Sequence, residues 1–424
     1  STRFAIGAAG ELLIGGSAAG TSGQILTSGG AAPPTWEDAS SGGTSALDGL
    51  SDAKVSGTSI WLGHETTGSL DNANWNIFAG QLSGPAVTTG DRNAALGYKT
   101  LNNLTTGSSN VAIGMTAGER IVGASDNIAI GDQAYMGSYG KTQGTSNVAI
   151  GKDAGKYVGN DQGDYNVAIG KQALSGDQTN TSGADYNIGI GYYALNAITT
   201  GTRNTAIGKG ALDAANTEND NIAIGYDALG GAVDGGVGQN VAIGNYSADA
   251  LTTGEKNVMV GYEAGSALTY SSQGVMIGHS AGSIGTGARN VMIGYGAGKR
   301  TNAHDNVVIG WEAGDDGASY DQSVFIGSKA GKRWGAGDYN IAIGFGAGGQ
   351  EGSAGSNDAQ YNTVIGYGSG DNVTDGDYNI LLGQSSGDNI TTGSNNVVIG
   401  AADVTATGDD QLKISSGDGS PVWI

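Results

Sequence analysis

The run Asn110-Val111-Ala112-Ile113-Gly114 decides the fold, because versions of it return down most of the chain. Copies begin at Asn93, Asn110, Asn127, Asn147, Asn166, Asn187, Asn204, Asn221, Asn240, Asn257, Gly274, Asn290, Asn306, Ser323, Asn340, Asn362, Asn379 and Asn396, eighteen words spaced 16 to 22 residues apart. A repeat of this size marks an architecture in which each unit needs a neighbour to cover it. The second and fourth residues of the word are nearly always Val or Ile, and the third lies between them on the opposite face, which is the period of a strand. The fifth is Gly in every copy, from Gly97 to Gly400, as suits a corner of positive φ or a close approach between backbones. Three residues later a small residue follows, as in Ala173-Leu174 and Ala281-Gly282, and then a polar turn, often Thr-Thr-Gly.

One word per coil predicts an all-β, elongated β-solenoid (β-roll). Eighteen coils stacked at about 4.8 Å would make a rod of roughly 85 Å. The recurrent Asn is expected to build a side-chain amide ladder along it. The third position of the word is Ala, or once Gly189, from Ala95 to Ala242, and then becomes Met259, Met276, Met292, Val308, Phe325, Ala342, Val364, Leu381 and Val398. If Val and Ile fill each chain's own thin core, this column faces partner chains. It is therefore expected at the threefold axis of a homotrimeric fibre, with Ala112, Ala129 and Ala149 in close contact and Met259, Met276, Met292 and Phe325 filling a wider gap, since Met fits irregular space. A single-chain solenoid that covers the column with its own third wall is the alternative.

Composition agrees with a thin core. The 424 residues include 80 Gly but only 4 Phe and 4 Pro, and 14 % are charged. Glycine does not recur at every third position as collagen requires, and regularly placed Val and Ile argue for order. The formal charge of -21 repels phosphate backbones and anionic membranes, so nucleic acid is not an expected partner. No run approaches the roughly 18 apolar residues of a membrane helix, so no membrane insertion is expected, and Ser1-Thr2-Arg3-Phe4 opens no signal-peptide pattern. With no Cys, there is no disulfide and no thiolate chemistry.

Catalytic patterns are weak. Gly278-His279-Ser280-Ala281-Gly282 and Gly383-Gln384-Ser385-Ser386-Gly387 fit G-x-S-x-G, yet a nucleophile elbow needs a strand-to-helix turn with a separate His and acid. Both fall at a coil corner. The Gly-Lys pairs at Gly155, Gly298 and Gly331 lack phosphate-loop spacing. His64, His279 and His304 are scattered, and no metal or other cofactor is expected. Acidic runs at Asp161 to Asp164, Glu218 to Asp220 and Asp315-Asp316 read as solvated loops. No enzyme activity is expected. Aromatic residues follow the corner Gly (Tyr98, Tyr192, Tyr226, Tyr262, Tyr295, Trp311, Phe345, Tyr367) or precede the Asn (Tyr165, Tyr186, Tyr339, Tyr361, Tyr378). Of these Tyr192, Tyr226, Tyr262, Tyr295, Trp311 and Tyr367 are the candidates for carbohydrate contact, since sugars pack on aromatic faces. Packing against adjoining coils or chains is the other reading.

The word and its corner Gly resemble the β-roll heads of trimeric autotransporter adhesins and, equally, repeat shafts of bacteriophage tail fibres. The flanks resemble fibre modules: Gly23-Gln24-Ile25-Leu26-Thr27-Ser28-Gly29-Gly30 with Pro34-Thr35-Trp36, Leu47 to Ala53 with Ser59 to Gly63, and Asp410 to Ile414 with Pro421-Val422-Trp423-Ile424. The last is similar to the segment that precedes a self-cleaving chaperone in many phage fibres, and together with the missing initiator Met it suggests a processed chain. The resemblance implies a structural fibre protein on a virion, a rigid extracellular spacer for host attachment. Its partners would be two further copies, other virion or fibre proteins through the N-terminal region, and a host surface glycan. A bacterial trimeric surface adhesin and a tailspike-like polysaccharide depolymerase are the alternatives. The expected organisation is a linker or attachment module at 1–43, a second fibre module at 44–92, the β-roll shaft at 93–400 and a cap at 401–424.

Overall fold

The computed structural model describes residues 73–415 except 139–142, 159–162, 177–182, 232–236, 284–286, 301, 316–318, 333 and 350–357, together with residues 53–56 and 58–63 and four short strands nearer the N-terminus. Those four form two antiparallel pairs, β1 (Phe4–Ile6) with β2 (Leu12–Ile14) and β3 (Gln24–Thr27) with β4 (Thr35–Asp38). The module boundary at 43, most of Leu47 to Ala53, and the tail Pro421 to Ile424 lie outside the described residues.

The described chain is all-β, a parallel β-solenoid, and each of the eighteen words supplies one three-residue strand. Pairing runs in one unbroken series from β5 (Ala53–Ser56) to Leu412–Ile414. The first contact, β5 with β6 (Ser59–Leu62), is antiparallel, and every later one is parallel. Register never slips: Ala112 pairs Ala129, Met259 pairs Met276, and Val398 pairs Lys413. The stack is longer than the words alone mark, because Ser59–Leu62 and Ile77–Ala79 precede them and Leu412–Ile414 follows. It therefore begins within 44–92 and ends within 401–424.

The corner Gly meets both demands inferred for it. From Gly97 to Gly383 its φ lies between 129° and 145°. A Cβ on nearly all of these would also collide with the carbonyl of the corner Gly in the next coil. Further corners carry αL backbone on ordinary residues. The residue before the Asn is one, as at Tyr165, Arg203 and Asp305, and the second residue after the Gly is another, as at Gln133 and Lys329. Such φ is uncommon outside Gly, and stacking holds it in coil after coil.

The Asn ladder is continuous over long runs. The Asn187 amide oxygen accepts from both Asn204 N at 3.0 Å and Asn204 Nδ2 at 3.2 Å. Its own Nδ2 donates to Asn166 Oδ1 and to the Gly201 carbonyl. Each rung thus fixes a strand start, the next coil and the intervening turn, with its polar atoms satisfied although fully buried. Where Ser323 replaces Asn, its hydroxyl still accepts from Asn340 N. At Gly274 the amide is missing, and the Met276 methyl lies 2.8 Å from where a Cβ would stand, so the thioether occupies the vacated space.

The interior is filled from facing walls, and many coils trade volume between them; where both residues are small, as at Ala112 with Gly118 or Ala342 with Gly348, Ile121 or Trp334 fills the space instead. Where the middle strand residue is Ala, as at Ala168, Ala206 and Ala223, the fourth residue after the corner Gly is a buried Leu: Leu174, Leu212 and Leu229. Where it is Met292, Phe325 or Leu381, that fourth residue is Gly298, Gly331 or Gly387, whose Cβ would stand 2.6–2.7 Å from the large side chain. A core this thin has no slack, so in these coils one wall shrinks as the other grows.

This reverses the expected facing. Ala112, Ala129, Ala149, Met259, Met276, Met292 and Phe325 are at most 2 % exposed within a single chain, so none lines an axis between chains. Alternation along a strand says only that the middle residue opposes its neighbours, and the coil's cross-section decides which side is inside. A narrow coil admits one inward residue per three-residue strand. The two branched flanking residues therefore point outward.

Candidate interaction surfaces

Because of that reversal, the outer face of the sheet is apolar. Ile113 is 40 %, Ile277 38 % and Ile380 42 % exposed, and their counterparts repeat along the rod. Three residues at about 3.3 Å and twenty steps at about 4.8 Å give a strip of about 950 Å², more than the few hundred Å² a soluble monomer leaves bare.

Aromatic columns rim this strip on both sides. Before the Asn, Tyr165 stacks on Tyr186 at 5.1 Å, and Tyr339, Tyr361 and Tyr378 stack at 4.8 Å per step with planes 3° apart. After the corner Gly, Tyr262, His279 and Tyr295 stack at 5.1 and 4.9 Å, and Phe345 stacks on Tyr367 at 5.3 Å. All six residues expected to touch carbohydrate sit in this second column with a ring face engaged. Lys171, Lys209 and Lys329 cover Tyr192, Tyr226 and Trp311, while His279 lies on Tyr262 and Tyr295, and Phe345 on Tyr367. Rings stacked along the rod offer their edges outward, a geometry better suited to packing than to a sugar lying flat.

The G-x-S-x-G motif at Ser280 gathers three suggestive groups in the wrong order. The Ser280 hydroxyl lies 3.0 Å from His279 Nδ1 and 3.3 Å from Glu263 Oε2. The acid reaches the hydroxyl instead of orienting the imidazole as a Ser-His-acid relay needs, and Ser280 is buried. At the second motif the serine is Ser385, a half-buried residue in αL backbone with φ of 51° that hydrogen-bonds the Asp388 carboxyl, with no imidazole in its word. Gly155, Gly298 and Gly331 are αL turn glycines, with φ of 54° to 60°.

Among the acidic runs, Glu218 accepts from the backbone N of Asn216 and Thr217. Asp220 is held below the usual carboxylate range by its hydrogen bond to Arg203. Burial, then the neighbouring Asp227, raises Asp213; burial raises Asp249 and Asp388 likewise, with other carboxylates adding to it. His64, Asp161 and Asp316 lie outside the described residues. Among the described residues no group of three or more His, Cys, Asp or Glu could hold a metal, and no helix is long and apolar enough to cross a membrane.

The strip and its rims define a class of protein, a repeat solenoid with one unpartnered apolar face. No known family, no curated protein and no solved structure matches the chain.

Proposed function

We propose that this chain is the shaft of a virion appendage: a stiff, acidic, non-catalytic spacer in which three copies associate along their length and project an attachment surface toward a host. The observation that carries this reading is the unbroken in-register ladder from β5 to Leu412–Ile414. It supports a rod of constant cross-section, because each coil touches chiefly its neighbours. The bare Val/Ile strip supports self-association. Buried against further copies it is of the order of the about 800 Å² per partner found in stable interfaces.

Electron microscopy with native mass measurement tests this. Uniform rods near 95 Å (twenty steps at about 4.8 Å) with the mass of three chains are expected, and irregular particles would refute the spacer. Antibodies raised against the chain should label appendages on virus particles; labelling of a bacterial cell envelope instead would favour the adhesin.

A further inference from the structure

The inward column of the stack meets a lysine at each extreme. Leu412–Ile414 pairs in register with the strand before it, which sets Lys413 beside Val398 on the inner face. At the other extreme the antiparallel β5 places Lys54 opposite Trp61, and residues directly opposite share a face of the sheet. Between these two the column runs from Trp61 and Phe78 through Ala95 to Val398 and holds only Trp, Phe, Ala, Gly, Met, Val and Leu. Lys413 is not turned out to water. Its Nζ donates to the Asp403 carbonyl at 2.6 Å, and Asp403 follows Ala402, whose own carbonyl accepts from Gly387 N in the facing wall. The lysine stem therefore crosses the end of the core from one wall to the other. The Asp403 carboxylate is engaged elsewhere, accepting from Asn389 N at 3.0 Å.

Among the described residues β5 pairs only with β6, and Leu412–Ile414 only with Val397–Ile399. A strand edge with one neighbour is a template for another chain, and head-to-tail joining of rods does not close, so it runs on into filaments. Every way of abutting two ends brings lysines together. Head to tail, Lys413 meets Lys54; in the two reversed joints Lys413 meets Lys413 or Lys54 meets Lys54. The ammonium groups would lose their water between apolar layers, and the column offers no carboxylate to receive them. We infer that Lys54 and Lys413 are end stops, inward charges that forbid axial joining between copies and so hold the assembly to one rod length. This rests on the rod of the proposed spacer and is the same however many chains lie side by side.

Met is the residue to substitute, since it already fills this column at Met259, Met276 and Met292. Electron microscopy of the unaltered chain should show rods of about 95 Å, and Lys54→Met/Lys413→Met should add populations at about 190 and 285 Å, the whole multiples of twenty steps at about 4.8 Å. Lys54→Arg/Lys413→Arg keeps both charges and should stay at the single length. Should the Met variant fail to fold, acetylating the lysines of the folded, unaltered chain removes the same charges. Acetylation should then lengthen those rods and leave the equally treated Arg variant at one length. A folded Met variant of single length overturns the end stops, as does a single length after acetylation where the Met variant does not fold; thicker bundles without lengthening count the same way. Filaments formed by the unaltered chain would overturn them too. In the first three of these outcomes uniform rods persist and the spacer stands, whereas irregular particles in every sample defeat the spacer and the end stops together.

Discussion

Exchanging the partners of one coil is the sharpest test of the interior. Met292 is 2 % exposed, and a Cβ at Gly298 would lie 2.6 Å from its sulfur. Met292→Ala should cost about 2–5 kcal/mol through lost burial and a cavity. Gly298→Leu alone should cost about 1–3 kcal/mol by overpacking, plus about 1–2 kcal/mol for a branched residue at the φ of 59° there. The double variant Met292→Ala/Gly298→Leu recreates the arrangement of Ala206 with Leu212, where Leu tolerates a φ of 53°. It should retain only the αL strain and a packing mismatch below about 1.5 kcal/mol. The coupling between the two changes is then of the order of 3 kcal/mol and favourable. Long repeat arrays need not unfold in one step, so hydrogen exchange at the strand Val291–Ile293 should be followed beside denaturant melts. Costs that simply add would refute the idea that the two walls share one fixed volume.

Other expectations follow from the same geometry. Asn187→Ala leaves the Asn204 N–H and the Gly201 carbonyl unpaired in a buried site, at a cost of about 2–4 kcal/mol; exchange of the neighbouring amides should accelerate, and unchanged rates would contradict the ladder. Ile277→Asp and Met276→Asp alter adjacent residues on opposite faces: the first should release single chains that keep their β-sheet circular dichroism, the second should unfold its coil, and the reverse outcome would restore the facing that the structure overturned. Asp213 binds its proton more tightly folded than unfolded, so its contribution is fully present below the unfolded value near about 3.9 and is lost as pH rises through the raised folded value. Asp213→Asn should accordingly raise the melting temperature at neutral pH and change it little in acid; a neutral-pH decrease would argue against a desolvated carboxyl.

Much of the architecture was legible because the five-residue word states both the strand and its corner. Asn110 to Gly114 shows alternation and a Gly, and both acquired the structural role expected of them. The inside and outside of the strand could not be read, since Ala112 between Val111 and Ile113 fits either assignment until the opposite wall is known. The needed clue was present at a distance of several residues. Leu174 accompanies Ala168 whereas Gly298 accompanies Met292, a compensation that makes sense only if both side chains enter one core. The extra coils carry a weaker signal because Ser59, Asn76 and Gln411 head words altered beyond the Val/Ile pattern. The αL corners at Tyr165 or Gln133 leave no sequence signal, as neighbours and not residue type impose them. The aromatic columns were visible as spacing, but that their faces are engaged along the rod depends on side-chain placement.

The constant register has a bearing on dimensions. Coils of 16 to 22 residues all contribute the same three-residue rung in unbroken register, so the length of a coil does not change the number of rungs. Reach is counted in whole repeats, each worth about 4.8 Å, while girth is untouched. Duplicating or deleting one repeat in the gene would therefore adjust how far the particle stretches in integer steps, a ruler written in the reading frame itself.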